Sequence, residues 1–292
     1  MKISGFSIVR NAELLDFPVE ASLRSILPIC DEVVVNVGRS DDATLDLVRA
    51  IGRCEPRLRI LETEWDPGRG EALLREQTLR AMRACAHPWG ICVQADEVLH
   101  EDGAGALRAA IEAATSDPRI EGIVVRYRHI FGDPFTEAVN RRWYRREVRA
   151  VRLDPAAGIL PYRDAQGFRV GKAARKVRAR LADAEMFHYG WIRSAAALRA
   201  RAEVDRHLYP DRKVPESDPG GPAVLRWFPG LRPFRGTHPG AARAWVGAHA
   251  LDPERVVSRP AFELEHLRFY ASDAVERLTG IRPFEFRNYT LV

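Results

Sequence analysis

The first 115 residues alternate between two hydrophobic periodicities, and that alternation constrains the fold more than any single motif does. ISGFSIV (Ile3 to Val9) is a short apolar run, after which Asn11 can open a turn. In LLDFPVEASLRSIL the residues Leu14, Leu15, Val19, Leu23, Ile26 and Leu27 recur at helical spacing. EVVVNV (Glu32 to Val37) is β-branched and stops at Gly38, so it reads as a strand with a turn after it. SDDATLDLVRAI offers Ser40, Asp41 or Asp42 as the cap of a helix striped by Leu45, Val48 and Ile51. LRILETEW, a helix from Glu71 to Cys85, and the strand WGICVQ continue the series. Repeated strand–helix units predict an α/β fold with a mainly parallel sheet and helices on both faces. Ligands of such sheets bind beyond the carboxyl ends of the strands. Three polar groups fall at those ends: Arg10–Asn11, Gly38–Asp42 and Asp96–Glu97.

Beyond Asp102 the pattern changes. A helix, GALRAAIEAATS, leads to strand-like IEGIVVRYRHIF, to arginine-rich antiparallel strands between Trp143 and Leu160, and to a further strand, EMFHYGWI. From Ser194 onward SAAALRARAEVDRHLY reads as a helix and KVPESDPGGP as a Pro/Gly linker, followed by short helices with many prolines and aromatics. The predicted organisation is a main domain over residues 1–195, divided into halves at about residue 100, and a C-terminal helical extension over 196–292. No internal repeat or low-complexity segment is present.

No stretch reaches the roughly 18–20 uninterrupted apolar residues of a membrane span. MKISGFSIVRNAE meets Arg10 before the apolar core of an export signal could form. The four cysteines, Cys30, Cys54, Cys85 and Cys92, include no CxxC pair and lie in or beside apolar segments. They read as buried thiols of a cytoplasmic protein. The net charge of +5 is uneven: from Arg141 to Arg180 thirteen Lys/Arg face three acids, an excess of ten. Such a block suits a phosphate-bearing substrate or an inner-membrane surface; alternatively, its arginines pair with acids elsewhere in the chain. No nucleic-acid-binding motif accompanies it, and no nucleic-acid partner is expected.

Asp96 and Glu97 would face opposite sides of an extended strand, but where the chain turns both can reach one cleft. Hard oxygen ligands at that place suit Mg²⁺ or Mn²⁺ bridging carboxylates to phosphates. The same pair also reads as a solvated turn.

Taken together, FSIVRNAE, DEVVVNVGRSDDATLDLVR, GRGEALLREQTLRAM and WGICVQADEVL resemble the nucleotide-sugar-binding half of a GT-A glycosyltransferase of the family 2 type. The similarity covers roughly residues 1–195, with YRDAQGFR and HYGW in the acceptor half. It implies transfer of a sugar from a UDP-, GDP- or dTDP-sugar to a glycan, lipid-linked or protein acceptor, with inversion and with Mn²⁺ or Mg²⁺ as cofactor. An envelope glycan built at the cytoplasmic face of the inner membrane is the acceptor class that fits the basic block.

By the same resemblance, Val9, Arg10, Asn11 and Glu13, with Gly38, Arg39, Ser40, Asp41 and Asp42, would hold the base and ribose. Arg75 matches a basic position facing the donor cleft. QADE corresponds to the family's DxD motif: Asp96 matches the metal-holding aspartate, and Gln94 stands where the first aspartate usually is. An amide there keeps a hydrogen bond but gives up a charge, which lowers metal affinity. His188 in FHYGW matches a third metal ligand or a diphosphate donor, although a histidine between aromatics also reads as a core residue.

An inverting transfer needs a carboxylate to take the acceptor hydroxyl's proton, and positive charge on the leaving diphosphate. Asp164 in PYRDAQGFR is the first choice for that base, Glu185 the second and Glu97 the third. Trp143, Tyr144, Tyr162 and Phe168 read either as sugar-stacking platforms or as core. His238, in FRGTHPGAARAW, reads as part of a segment that closes over the cleft or shapes acceptor choice. The rival reading is an inactive nucleotide-sugar or glycan-binding module with Gln94 as the lesion. A nucleotidyltransferase would need a glycine-rich loop after the first strand, and SIVRNAE has no glycine.

Overall fold

The computed structural model describes residues 1–209 and 222–292. Its first part follows the expected alternation: β1 (Ser4–Val9), α1 (Val19–Ile26), β2 (Glu32–Gly38), α2 (Thr44–Cys54), β3 (Leu58–Thr63), α3 (Ala72–Ala84) and β4 (Trp89–Cys92). These strands lie in the order β3, β2, β1, β4, all parallel, with Ser4 opposite both Glu32 and Gly90. Alternate residues of β2 feed opposite faces. Val33, Val35 and Val37 pack with Val19, Leu23 and Ile26 of α1 and with Val48 and Ile51 of α2. Val34 packs on the other side with Phe6 and with Ala81 and Met82 of α3. Helices therefore cover both faces of the parallel block.

The second part comprises β5 (Glu97–Leu99), α4 (Glu101–Thr115), β6 (Gly122–Phe131), β7 (Thr136–Ala138), β8 (Arg146–Arg152), β9 (Ile159–Tyr162), β10 (Gly167–Val170) and β11 (Arg175–Trp191). β8 runs antiparallel between β4 and β6, while β6 is parallel to β11. The far end of β11 takes β5 antiparallel. His188 then stands opposite Glu97 on one side and His129 on the other.

The remaining elements are α5 (Ala195–Leu208), β12 (Ala223–Leu225), β13 (Leu231–Pro233), α6 (Arg243–Ala248), β14 (Arg255–Val257), α7 (Leu267–Thr279) and β15 (Tyr289–Leu291). They are not purely helical: β13 pairs with β7, and β15 joins the main sheet parallel to β11. The linker read at KVPESDPGGP lies, but for its final proline, outside the described residues.

Three expectations change. The helix expected from Leu14 starts only at Val19, because Pro18 disfavours a helical conformation at Phe17. Asn11 and Asp16, both at φ 52°, turn the chain sharply before it. Of the four free cysteines, Cys30 and Cys92 are buried, Cys85 is half-buried and Cys54 is exposed at the end of α2. The basic block is neutralised internally only in part. Arg175 and Arg178 pair with Glu121, Arg145 with Glu276 and Glu285, and Arg152 donates to the carbonyl of Ala114 in the last turn of α4 and to those of Asp117 and Ile120 beyond it. Among the described residues no helix is long and apolar enough to cross a membrane.

Candidate active site

The loops after β1 and β2 are joined side chain to backbone. Asn11 Nδ2 donates to Asp41 Oδ2 at 3.1 Å, and its Oδ1 accepts from the Asp41 N–H at 2.9 Å. The Asn11 N–H donates to Ser40 Oγ at 3.0 Å. Asp42 accepts from Thr44 N at the start of α2 and also from the backbone of Glu13 and Leu14. Burial alone would raise its pKa, but these donors bring it below the usual carboxylate value. Glu13 in turn accepts from Ala43 N at 3.3 Å.

Arg10 donates through Nε to the Arg39 carbonyl and lies 3.6 Å from Asp41, whose side chain is 75% exposed. Arg39 is exposed, 3.7 Å from Glu64. Gly38 is required where it stands, since an added Cβ would lie 2.6 Å from the Trp65 indole. The Val9 side chain, by contrast, is buried in the core, which leaves only its backbone for a ligand. Arg75 is exposed on α3 and forms no ion pair among the described residues.

The second cluster forms where β5 meets β11. Asp96 Oδ2 receives Arg193 Nη2 at 2.6 Å and lies 3.5 Å from His188 Nε2. Burial alone would raise the Asp96 pKa; His188 and Arg193 override it and hold the group far below the carboxylate range. Arg193 is itself buried, stacks on Phe17 at 4.1 Å, and donates to the Leu15 carbonyl at 3.3 Å. It therefore ties the turn that begins at Asn11 to Asp96. Burial and the neighbouring Arg201 bring its pKa down to about 10, so it remains charged.

Glu97 has another role. It is fully buried and receives Arg149 Nη2 at 2.6 Å, Arg149 Nε at 2.9 Å, the Tyr127 hydroxyl at 2.6 Å and the Gln94 N–H at 3.0 Å. A carboxylate so saturated has no free lone pair for a substrate proton, so the third choice of base is a structural ion pair instead. Gln94 also differs from expectation. Its amide donates to the Ala165 carbonyl at 3.2 Å, so it fastens the β9–β10 hairpin to the strand end.

Asp164 sits in that hairpin, flanked by Arg163 and Ala165 at positive φ, and accepts from the Tyr209 hydroxyl at 3.0 Å. Glu185, on β11, pairs with Arg128 at 2.9 Å. Phe168 is fully buried and serves as core, whereas Tyr162 is half-buried beneath Arg169. His238 links the Tyr189 hydroxyl to the Pro134 carbonyl and so anchors the C-terminal segment to β11.

The histidines decide whether a divalent cation fits. His129 is buried, which pushes its pKa down to about 3, so it is neutral. Its Nε2 is 2.8 Å from the Tyr144 carbonyl and must carry the proton. Its Nδ1 then offers a lone pair to His188 Nδ1 at 3.3 Å, which must donate. The remaining nitrogen of His188, Nε2, then lies 3.5 Å from Asp96 Oδ2. Arg193 already places one positive charge on Asp96 Oδ2, and a proton or a metal at His188 Nε2 would supply a second. A metal-bound histidine whose other N–H is anchored is the usual arrangement. Asp96 Oδ1 accepts no hydrogen bond among the described residues, where the contacts fall on Oδ2, and offers a further lone pair to a metal. The residues thus fit Mn²⁺ or Mg²⁺ with two protein side chains, the remaining ligands being water or phosphate.

Arg193, His129 and Arg149 were not singled out in the sequence. The available signal was a charged or titratable side chain inside an apolar strand run, in FHYGWIR, IVVRYRHIF and VRAV.

No family model matches the chain, and no curated protein matches it. Among solved structures, S. aureus TarS 1–349 is similar over 70% of this chain and 65% of its own, with 15% identity and a TM-score of 0.43. The same protein in complex with UDP gives 19% identity over 48% of this chain and 42% of its own, with a TM-score of 0.35. Glucosyl-3-phosphoglycerate synthase from Mycobacterium tuberculosis, in complex with Mn²⁺, UDP-glucose and phosphoglyceric acid, gives 20% identity over 44% of each chain, with a TM-score of 0.30. The chain spans less than two thirds of the length of each of these.

Proposed function

We propose that the chain is a nucleotide-sugar-dependent glycosyltransferase of the GT-A, family 2 type, with residues 1–195 as its catalytic part. The observation that carries this reading is Arg193. It bridges the Leu15 carbonyl and Asp96, so that the hydrogen-bonded turns of Asn11 and Asp41 and the QADE strand end form one polar assembly. On this reading the exposed carboxylate of Asp41 accepts from a base N–H, with Arg10 and Arg39 beside it. Asp96 and His188 would hold Mn²⁺ or Mg²⁺, which when bound neutralises charge on the leaving diphosphate. Arg193 and Arg201 add fixed positive charge there without reorganising.

Asp164 accepts the proton of the acceptor hydroxyl as that oxygen bonds to the anomeric carbon and the bond to the diphosphate breaks, with inversion. The acceptor class is a glycan or lipid-linked glycan at the cytoplasmic face of the inner membrane. The test is donor hydrolysis with UDP-, GDP- and dTDP-sugars and Mn²⁺, combined with thermal shift. Asp164→Asn is expected to keep donor binding and lose turnover by about 10²–10⁴. Full turnover in that variant moves the role to Glu185. The absence of both turnover and thermal shift with every donor rejects the reading. The commitment of Gln94 to the Ala165 carbonyl favours one alternative, a binding module. That alternative requires donor binding without turnover and little effect of Asp96→Ala.

A further inference from the structure

A cavity of about 450 Å³ opens between β6, the segment before β8, and α7. This is within the size range of small-ligand sites. Seven arginines and four carboxylates line it, an excess of three positive charges before His129, which is neutral, is considered. The carboxylates are largely spoken for. Glu137 lies between Arg128 at 3.3 Å and Arg232 at 2.8 Å, Glu276 receives Arg145 at 2.6 Å and Arg282 at 2.7 Å, and Glu185 takes Arg128.

Arg146 and Arg277 remain. Both line the cavity, and neither has a carboxylate partner within 4.0 Å among the described residues. Trp143, also in the lining, has a buried indole N–H without an acceptor among the described residues. Free cationic forks and an unmatched donor around one concave space call for an acceptor-rich anion. The cavity is also contiguous with the candidate active site. His129 forms part of its wall, and its Nδ1 is 3.3 Å from His188, which faces Asp96.

We propose that this cavity binds an anionic group, a phosphate or carboxylate, carried on the sugar acceptor, so that Arg146 and Arg277 select acceptors by charge. The proposal rests on the glycosyltransferase reading for its purpose but not for its measurement. The concave, half-open shape favours a discrete charged sugar over a flat lipid surface.

The test is calorimetry on the full chain with glucose 6-phosphate, glucose and UDP as probes. Glucose 6-phosphate is expected to bind at least about tenfold tighter than glucose. Arg146→Ala and Arg277→Ala should each weaken it by about tenfold while UDP affinity is unchanged, and Arg146→Lys should restore part of the loss. Neither arginine has a carboxylate within 4.0 Å among the described residues, and Asp273 of the lining feels Arg277 only at longer range, so circular dichroism of the variants is expected to match the parent.

Equal affinity for glucose and glucose 6-phosphate, or variants that bind like the parent, overturns the proposal. So does Arg146-dependent binding to phosphatidylglycerol vesicles without binding of the sugar phosphate. Failure of UDP to bind while glucose 6-phosphate binds as described would instead remove the donor reading and leave the anion site standing.

Discussion

Replacing Glu97 by glutamine separates a structural acid from a catalytic one. Arg149 is fully buried and spends Nε and Nη2 on this carboxylate, while Nη1 reaches the carbonyls of Val148 at 3.0 Å and Gln166 at 2.9 Å. Glutamine removes the neutralising charge and turns an NH₂ toward donors already present: Arg149, the Tyr127 hydroxyl or the Gln94 N–H. Breaking one side of a buried pair in this way costs about 3–5 kcal/mol, roughly 10 °C of melting temperature for a chain of this size. Urea and thermal unfolding of Glu97→Gln should show that loss. The double variant Glu97→Gln/Arg149→Met should regain much of it, since no charge is then stranded. A Glu97→Gln protein with parental stability but no turnover would refute the argument and return Glu97 to the reaction.

Burial pushes the Glu147 carboxyl up to about 7, against an ordinary value of 4.5. Its contribution to stability is therefore complete below about pH 4.5 and lost as pH rises through 7; Glu147→Gln should flatten that slope in unfolding titrations. His129 has the opposite sign: its neutral form favours the fold above about pH 6.5, and that contribution is lost as pH falls toward 3. His129→Phe removes the acceptor that orients His188, so Mn²⁺ should bind about 10–100-fold more weakly while metal-free UDP binding is unchanged. Competition with a fluorescent chelator reads this directly. Gly190→Ala places a Cβ 2.8 Å from His188 Nε2 and 3.0 Å from Asp96 Oδ2. Calorimetry should show that added Mn²⁺ no longer strengthens UDP binding in this variant.

The parallel block was readable because each of its strands is an apolar run that ends in a polar turn, and each intervening helix has its own stripe. The turns at Asn11 and Asp41 and the end of QADE could be placed from that pattern alone. What was not readable depends on long-range pairing. Nothing local announces that β11 takes β5 on one side and β6 on the other, yet that register aligns Glu97, His188 and His129. The roles of the adjacent acids were equally hidden: Asp96 faces His188 and Arg193, whereas Glu97 is sealed against Arg149. The charge excess between Arg141 and Arg180 was visible as composition. Which arginines stay unpaired depends on acids such as Glu121 and Glu276, which are brought in from elsewhere in the fold.

Asn288 donates to Glu147 at 2.7 Å across 141 residues of chain, and β15 follows it onto the edge of β11. Closing so large a loop is a late and slow event in folding, because its entropy is lost before any contact compensates. Until it closes, an acidic group sits at the margin of an otherwise apolar layer, and the outer rung of β11 is open to whatever strand arrives first. Shortening the tail should therefore be felt less as a missing appendage than as poorer refolding yield and more aggregation of the whole chain.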